Sequence, residues 1–437
     1  MNKRLLATVG ATAILGGVLS ACSGTSESGG GASSADAGPL TVWVDAARVP
    51  AVEAFQKAHP EVKIEVNNIS NTGGSSGLKQ QFALFNQAKE GWPDVIFFGG
   101  IDDIAWAASS EIDYAKQLEG VIDQSVLDGY TKAAQAPCTQ GKGTVCLRND
   151  QAQDVLWYNK KLFDQWGYTV PTTWAQYEDL SLKIATEHPG YYTGLVGDAL
   201  STNRYLWASG CPTNELIEGK KIRIATGDAK CTRVVNMLDK LISAGVVSAG
   251  GAFDSDVATK VGPKLVMNQA ATWWGAYMFR DTFKVPAGEM AVAPPLTWDG
   301  EAGTGNEGGG LWVMSSHIAD AKVEAAKTVM QFMVSDPAYA VEIGPTFPAY
   351  GGVQQAWLDK QAKDGYVANP ADMATVFIDA GKVVRPYSLL QYNTGDIWTQ
   401  TVVPELLKKT PLSKAWNTFS DHLVNEAKTL GYEVTTN

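Results

Sequence analysis

The chain has 437 residues, too many for one hydrophobic core and enough for two or three domains of globular composition, with 45% hydrophobic and 19% charged residues. Its 35 Lys and Arg against 46 Asp and Glu give a formal charge of −11, which excludes both the basic face that phosphates require and docking on anionic lipid by charge. Only four His leave little room for metal clusters, whereas 14 Trp, 15 Tyr and 13 Phe exceed the needs of core packing and point to a ligand site or interface.

Lys3 and Arg4 precede a run of fifteen small and apolar residues, Leu5 to Leu19. The run is too short to span about 30 Å of hydrocarbon and reads as a signal-peptide core. It ends in Leu19-Ser20-Ala21-Cys22, which looks like a bacterial lipobox; that resemblance implies cleavage of residues 1–21 and a diacylated Cys22. Of residues 23–38, 13 of 16 are Gly, Ser or Ala, so 22–38 is a flexible tether. Its root-mean-square reach is about 20–25 Å. Loss of Lys3 and Arg4 takes the mature charge from −11 to −13.

After the tether, strand and helix alternate. Thr41 to Val44 is an apolar strand, and Val52 and Phe55 share a helix face. Val62, Ile64 and Val66 recur at period two, a helix is expected over about Leu78 to Lys89, and Asp94 to Phe98 is a continuous buried run. This β-α-β-α-β opening predicts a doubly wound α/β domain whose crevice lies at the carboxyl ends of its strands. Those ends are Asp45, the 68–74 loop and Gly99 to Asp102. A second unit starts near Gln153 with the strand Val155 to Tyr158. Thr173 with Gln176 forms a capping box for the helix carrying Tyr177, Leu180 and Ile184. Further helices carry Val234, Leu238 and Leu241, then Ala326, Val329, Met330 and Met333, separated by a glycine-rich stretch over 287–311. No internal repeat is evident.

Apart from Cys22, the cysteines form two local pairs without C-x-x-C spacing. Of three possible connectivities, the local one, Cys138–Cys146 with Cys211–Cys231, is expected in an oxidising compartment. Gly73 to Gly77 matches G-x-S-x-G, but six residues separate Val66 from Gly73, so Ser75 is not at a sharp strand-to-helix turn. Gly303 to Gly308 matches G-x-G-x-x-G, yet no apolar strand precedes it and glycines follow where a helix should begin. Asp102-Asp103 is the most conspicuous acidic pair for a glycosidase, but neighbours at a strand end point apart.

Several segments in order resemble the extracellular solute-binding proteins of carbohydrate ABC importers, the maltose-binding-protein-like superfamily. They are Leu40 to Val44 with Val52 to Pro60, Pro93 to Phe98, Val155 to Phe163 with Val170 to Trp174, Gln269 to Gly275, and Gly308 to Trp312. The resemblance implies two doubly wound α/β lobes joined by a hinge of three crossover strands, near Arg148–Gln153, Glu289–Pro295 and Val334–Ala338. The lobes would be 39–150 with 291–336 and 151–290 with 337–437. It implies no catalysis and no cofactor. The partners would be an oligosaccharide and the permease and ATPase subunits of an importer, and the chain would be a monomer held at the outer face of the cell membrane by its lipid alone.

The site implied by the resemblance draws on Trp43, Asp45, Asn71 and Asp102 in the first lobe and on Asp150 and Gln151 at the first crossover. It adds Trp207, Trp274 and Tyr277 from the second lobe, Gly309 and Gly310 on the returning strand, and Tyr392, Asn393 and Asp396 near the C-terminus. A sugar has flat C–H faces and a hydroxyl rim, so aromatic plates and bidentate polar side chains suit it. Trp273 and Trp274 are expected to face opposite sides of a strand ending at Gly275, with Trp274 and, better placed, Tyr277 as the platform. The rival readings are a glycoside-active enzyme and a binder of a non-sugar solute such as a peptide or polyamine.

Overall fold

The computed structural model describes residues 38–69, 76–141, 143–298 and 300–436. Cys22 and Asn71 lie outside the described residues.

The first lobe is built on a five-stranded sheet in the order Ile64–Asn68, Leu40–Val44, Val95–Phe98, Leu311–Met314, Leu147–Arg148. The first three strands are parallel and Leu311–Met314 runs antiparallel to both its neighbours. Period-two alternation sorts the side chains into two cores. Val42, Val44, Val95, Phe97 and Trp312 join Val52, Phe55 and Val329 on one face. Trp43, Ile96, Phe98 and Val313 join Phe82 and Tyr114 on the other. A sheet covered on both faces is the doubly wound arrangement that the buried strand runs imply.

The second lobe centres on Asp154–Asn159, flanked antiparallel by Met267–Ala271 and Met290–Ala293. Leu156 faces a core completed by helices Trp174–Glu187, Ala229–Ser243 and Leu412–Thr429, while Val155 and Trp157 face helices Gly351–Asp364 and Pro370–Lys382. Asn159 caps Lys160–Trp166 by accepting from Leu162 N at 3.0 Å, and Gly167 closes that helix in the left-handed region at φ 68°. Thr173 Oγ1 accepts from Gln176 N at 3.1 Å, but Gln176 Oε1 accepts from Thr172 N instead of Thr173 N, so the capping box closes one residue early. Both local disulfides, Cys138–Cys146 and Cys211–Cys231, are formed.

Two of the expected crossing points move. Met290–Ala293 pairs with Asp154–Asn159, so residues 290–293 belong to the second sheet, and the chain reaches the first sheet only at Leu311. Asp336 caps a short helix, Pro337–Ala340, whose Tyr339 still packs in the first core. The chain instead crosses where Gln151 N donates to Phe347 O at 2.8 Å and Ala349 N to Asn149 O at 3.1 Å. Local apolar pattern marks helices well, but which sheet a strand joins depends on long-range pairing.

Candidate functional site

Residues from both lobes meet in two groups beside the crossing strands. In the first, Asp45 follows the strand Leu40–Val44 and accepts from Arg48 N at 3.0 Å and from Arg48 Nη1 at 3.2 Å. The Arg48 guanidinium carbon lies 4.3 Å from the Phe97 ring centroid of its own lobe and 5.9 Å from that of Tyr277 in the second lobe. Burial opposes the charge on Arg48, but the fields of Tyr277, Asp45, Tyr339 and Asp150 outweigh it and hold the guanidinium charged. Burial raises the Tyr277 phenol, against the pull of Arg48.

In the second group, Asp102 from the first lobe faces Asn393, whose Nδ2 donates to Asp102 Oδ2 at 3.4 Å. Burial, then Asp103 and Asp396, push the Asp102 carboxyl up to about 7, with Lys79 opposing. Burial raises Asp396 to about 6, opposed by Lys79 and reinforced by Asp103. Trp207 stacks on Tyr387 with centroids 4.1 Å apart and planes at 24°, and both rings pack into the core that holds Trp43. The two groups supply carboxylates, an amide, cations and ring faces in a cleft between two bodies, which suits capture of a polar solute with apolar faces.

The other expected site residues are placed differently. Trp274 is not a platform: the strand stops at Ala271, Trp274 is the residue before helix Gly275–Thr282, and its indole is 0% exposed. Its Nε1 donates to Glu307 Oε2 at 3.0 Å. Gly275 is small because a Cβ there would meet the Trp157 ring at 2.6 Å, not because it ends a strand. Asp150 is buried at the hinge, where Oδ1 accepts from Gly310 N at 2.9 Å and from Asn149 Nδ2 at 3.0 Å. Gly309, at φ 94°, and Gly310 lie so close to Arg148 and the Phe97 ring that a Cβ would approach within 2.8 Å and 2.1 Å respectively. These two glycines let the crossing strand pack and offer no side chain. Tyr392 sits in the second core against Tyr432. Gln151 is half-buried and anchored by its backbone, its carbonyl accepting from Thr272 Oγ1 at 2.9 Å.

Arg48, Lys79 and Tyr387 escape sequence reasoning. Arg48 had one signal, its three-residue spacing from Asp45; the rest have none, because their partners lie far along the chain.

Behind the site, Arg204 and Glu307 form a fully buried ion pair, with Nε–Oε1 at 2.6 Å and Nη2–Oε2 at 3.1 Å. Asp154 lies beside it, with neither carboxyl oxygen meeting a protein donor. Burial, reinforced by Glu307, holds the Asp154 carboxyl well above the usual carboxylate range, against Arg204. One groove of about 490 Å³ is lined by Tyr158, Pro171, Val292 and Asn369, and a smaller one lies beside Trp357 and Pro345. Among the described residues, no group of three or more His, Cys, Asp or Glu could hold a metal ion, and no helix is long and apolar enough to cross a membrane.

The family model of bacterial extracellular solute-binding proteins matches residues 37–340. The chain belongs to that family. The fold of this solute-binding protein is similar to that of the ABC-transporter-associated binding protein from B. animalis subsp. lactis Bl-04, solved with β-1,6-galactobiose, at a TM-score of 0.74 and 20% identity, covering 91% of this chain and 99% of the other. The galacto-N-biose/lacto-N-biose I-binding protein of Bifidobacterium longum, solved with lacto-N-biose, gives 0.75 and 15%, covering 91% and 98%. UgpB from Mycobacterium tuberculosis, solved with glycerophosphocholine, gives 0.69 and 15%, covering 90% and 99%. No curated protein sequence matches the chain. At these identities the likeness establishes the fold, two α/β lobes around a cleft, in a family of extracellular binding proteins.

Proposed function

We propose that this protein captures an oligosaccharide between its lobes and delivers it to the permease subunits of an ABC importer, without catalysis or cofactor. The observation that carries the reading is the meeting of Asp45 and Arg48 with Tyr277, and of Asp102 with Asn393 and Asp396, across the two lobes. The similar structures solved with β-1,6-galactobiose and lacto-N-biose support a sugar as the solute. The lobes we assign are 39–149 with 309–346, and 152–303 with 350–437, with the crossing segments between them. The mature protein is a monomer whose Cys22 carries the lipid that holds it at the outer face of the membrane.

A thermal-shift screen of the mature protein against galactose- and glucose-containing disaccharides and trisaccharides tests the reading. A sugar at 100 times its dissociation constant adds about 2.7 kcal/mol of stability. No shift with any sugar, or turnover of a labelled oligosaccharide by the pure protein, would overturn it. UgpB favours one alternative, a solute carrying a cationic group such as choline, because Asp102 and Asp396 lie together with Lys79 as the opposing charge. Glycerophosphocholine therefore belongs in the same screen.

A further inference from the structure

Hydrogen bonds along residues 304–310 divide by lobe. Up to Glu307 they tie the segment to the second lobe: Asp154 N donates to Gly305 O at 3.1 Å, Asn203 Nδ2 to Asn306 O at 2.8 Å and Glu307 N to Ala152 O at 2.8 Å. The Glu307 carbonyl and carboxylate accept from the indoles of Trp273 and Trp274. From Gly310 onward the partners stand at the edge of the first lobe. Gly310 N donates to Asp150 Oδ1 at 2.9 Å, and Gly310 O accepts from Asn149 N at 2.8 Å. Gly308 and Gly309 lie between, at φ 81° and 94°, so the change of lobe falls on two left-handed residues without side chains.

Asn306 reaches across that change. Its backbone is fastened to the second lobe, while its Oδ1 accepts from Arg148 Nη2 at 2.9 Å and its Nδ2 donates to Gly308 O at 2.7 Å. Arg148 belongs to the first sheet, where its carbonyl accepts from the Tyr130 hydroxyl at 2.9 Å and its Nη1 donates to Ala134 O at 3.1 Å. Gly309 makes room for the contact, since a Cβ there would lie 2.8 Å from Arg148 Nη2. Arg148 and Asn306 are both buried. Among the described residues, the guanidinium is hydrogen-bonded by neutral oxygens alone, and its Nε meets no acceptor. Burial pulls Arg148 down to about 10, opposed by the fields of Asp150 and Tyr130. A buried cation with so few acceptors depends strongly on each of them.

Rotation at the glycine pair would carry Arg148 with one lobe and Asn306 with the other, so their bond belongs to the joined arrangement. We propose that Arg148 and Asn306 form a latch across the hinge that biases the solute-free protein toward joined lobes. In the open form water hydrates both groups, and the bond favours the joined form by the difference. The latch is independent of which solute the cleft takes, and it strengthens by one common factor the binding of any solute held on closure.

Small-angle scattering of the solute-free mature protein tests this on Asn306→Ala, Asn306→Asp and Arg148→Lys. Asn306→Ala removes the acceptor, and its radius of gyration, measured well below its melting transition, is expected to exceed that of wild type. Asn306→Asp keeps an oxygen facing Arg148 and should restore the wild-type radius. A merely structural role for Asn306 would lower the melting temperature of Asn306→Ala and leave its folded radius unchanged, and that result would overturn the latch. If Asn306→Ala does not fold, Arg148→Lys keeps the charge but loses the fork that reaches Ala134 and Asn306 together, and it carries the same expectation and the same overturning result. Calorimetric titration with β-1,6-galactobiose, lacto-N-biose and maltose adds a second reading. For a sugar that wild type binds, Asn306→Ala should bind about 3- to 30-fold more weakly, between the loss of a neutral hydrogen bond and of one to a charged group. Affinity within twofold of wild type would overturn the latch as well. Wild-type protein that binds no sugar would overturn the sugar reading alone, because the scattering decides the latch without a solute.

Discussion

Trp274 and Trp273 are adjacent in sequence and opposite in role. Trp274 is completely buried and gives its N–H to the Glu307 carboxylate, whereas Trp273 is half-buried and gives its N–H to the Glu307 carbonyl. Trp274→Ala should therefore act on stability, costing about 3–5 kcal/mol in denaturant unfolding through the cavity alone. If it unfolds like wild type but binds sugar 30-fold more weakly, the placement of Trp274 in the core is wrong. The Arg204–Glu307 pair makes a second residue-scale case, since both side chains are 0% exposed. Arg204→Met removes the cation that offsets the burial of Glu307 beside Trp274 and Asp154, and removing one partner of a buried pair costs about 3–5 kcal/mol. Replacing the pair together, as Arg204→Met with Glu307→Gln, should recover part of that loss in the same unfolding assay.

At the scale of elements, helix Thr394–Thr401 and the start of helix Asp103–Ala107 face each other across the cleft through Asn393, Asp396 and Asp102. Asp102 is raised to about 7 and Asp396 to about 6 where they face each other. In an open form both would be hydrated and titrate near the ordinary carboxylate value of about 4. A carboxyl whose pKa is higher when the lobes are together favours the joined form when protonated. That advantage is present at about pH 4 and lost as pH rises through 6 to 7. Ligand affinity should accordingly weaken between pH 5 and about 7.5, and Asp102→Asn should flatten the profile. Affinity that strengthens over that interval in the wild type would show that the acids do not meet on closure.

The crossing strand carries a test of its own. A Cβ on Gly305 would lie 2.1 Å from Asn203 O, so Gly305→Ala should cost about 1–3 kcal/mol by overpacking, read as a lowered melting temperature. The Cys211–Cys231 bridge closes a loop with a sequence separation of 20. Its removal by a double Ser substitution should cost about 3 kcal/mol on the chain-entropy account.

For the whole molecule, the proposed capture of a solute between the lobes predicts that one lobe moves against the other. Small-angle scattering of the mature protein should show a smaller radius of gyration with a cognate sugar than without. An unchanged radius at saturating ligand would mean that the cleft is already closed. Mass spectrometry of the membrane-extracted protein should find residues 1–21 absent and acyl chains on Cys22. An unmodified Cys22 in the native host would show that no lipid anchors the protein there.

Much of the architecture is legible along the chain because its causes are local. The alternation of Val42, Trp43 and Val44 sends side chains to two cores on opposite faces of one sheet. Thr173 and Asn159 announce helix starts because a cap bonds within three residues. The cysteine pairs close over short loops. Of the residues expected at the site, Asp102 and, through Arg48, Asp45 meet residues of the second lobe, whereas Trp274, Asp150 and Tyr392 turn into the interior. No local pattern says which of two adjacent indoles is buried, since that depends on helix Gly275–Thr282 and on Glu307, 33 residues away from Trp274. The crossing points moved for the same reason: Met290–Ala293 is an ordinary apolar strand until its pairing with Asp154–Asn159 assigns it to a lobe. Period and capping are properties of neighbours in sequence, whereas burial, pairing and the meeting of Asp102 with Asn393 across 291 residues exist only once the chain has closed on itself.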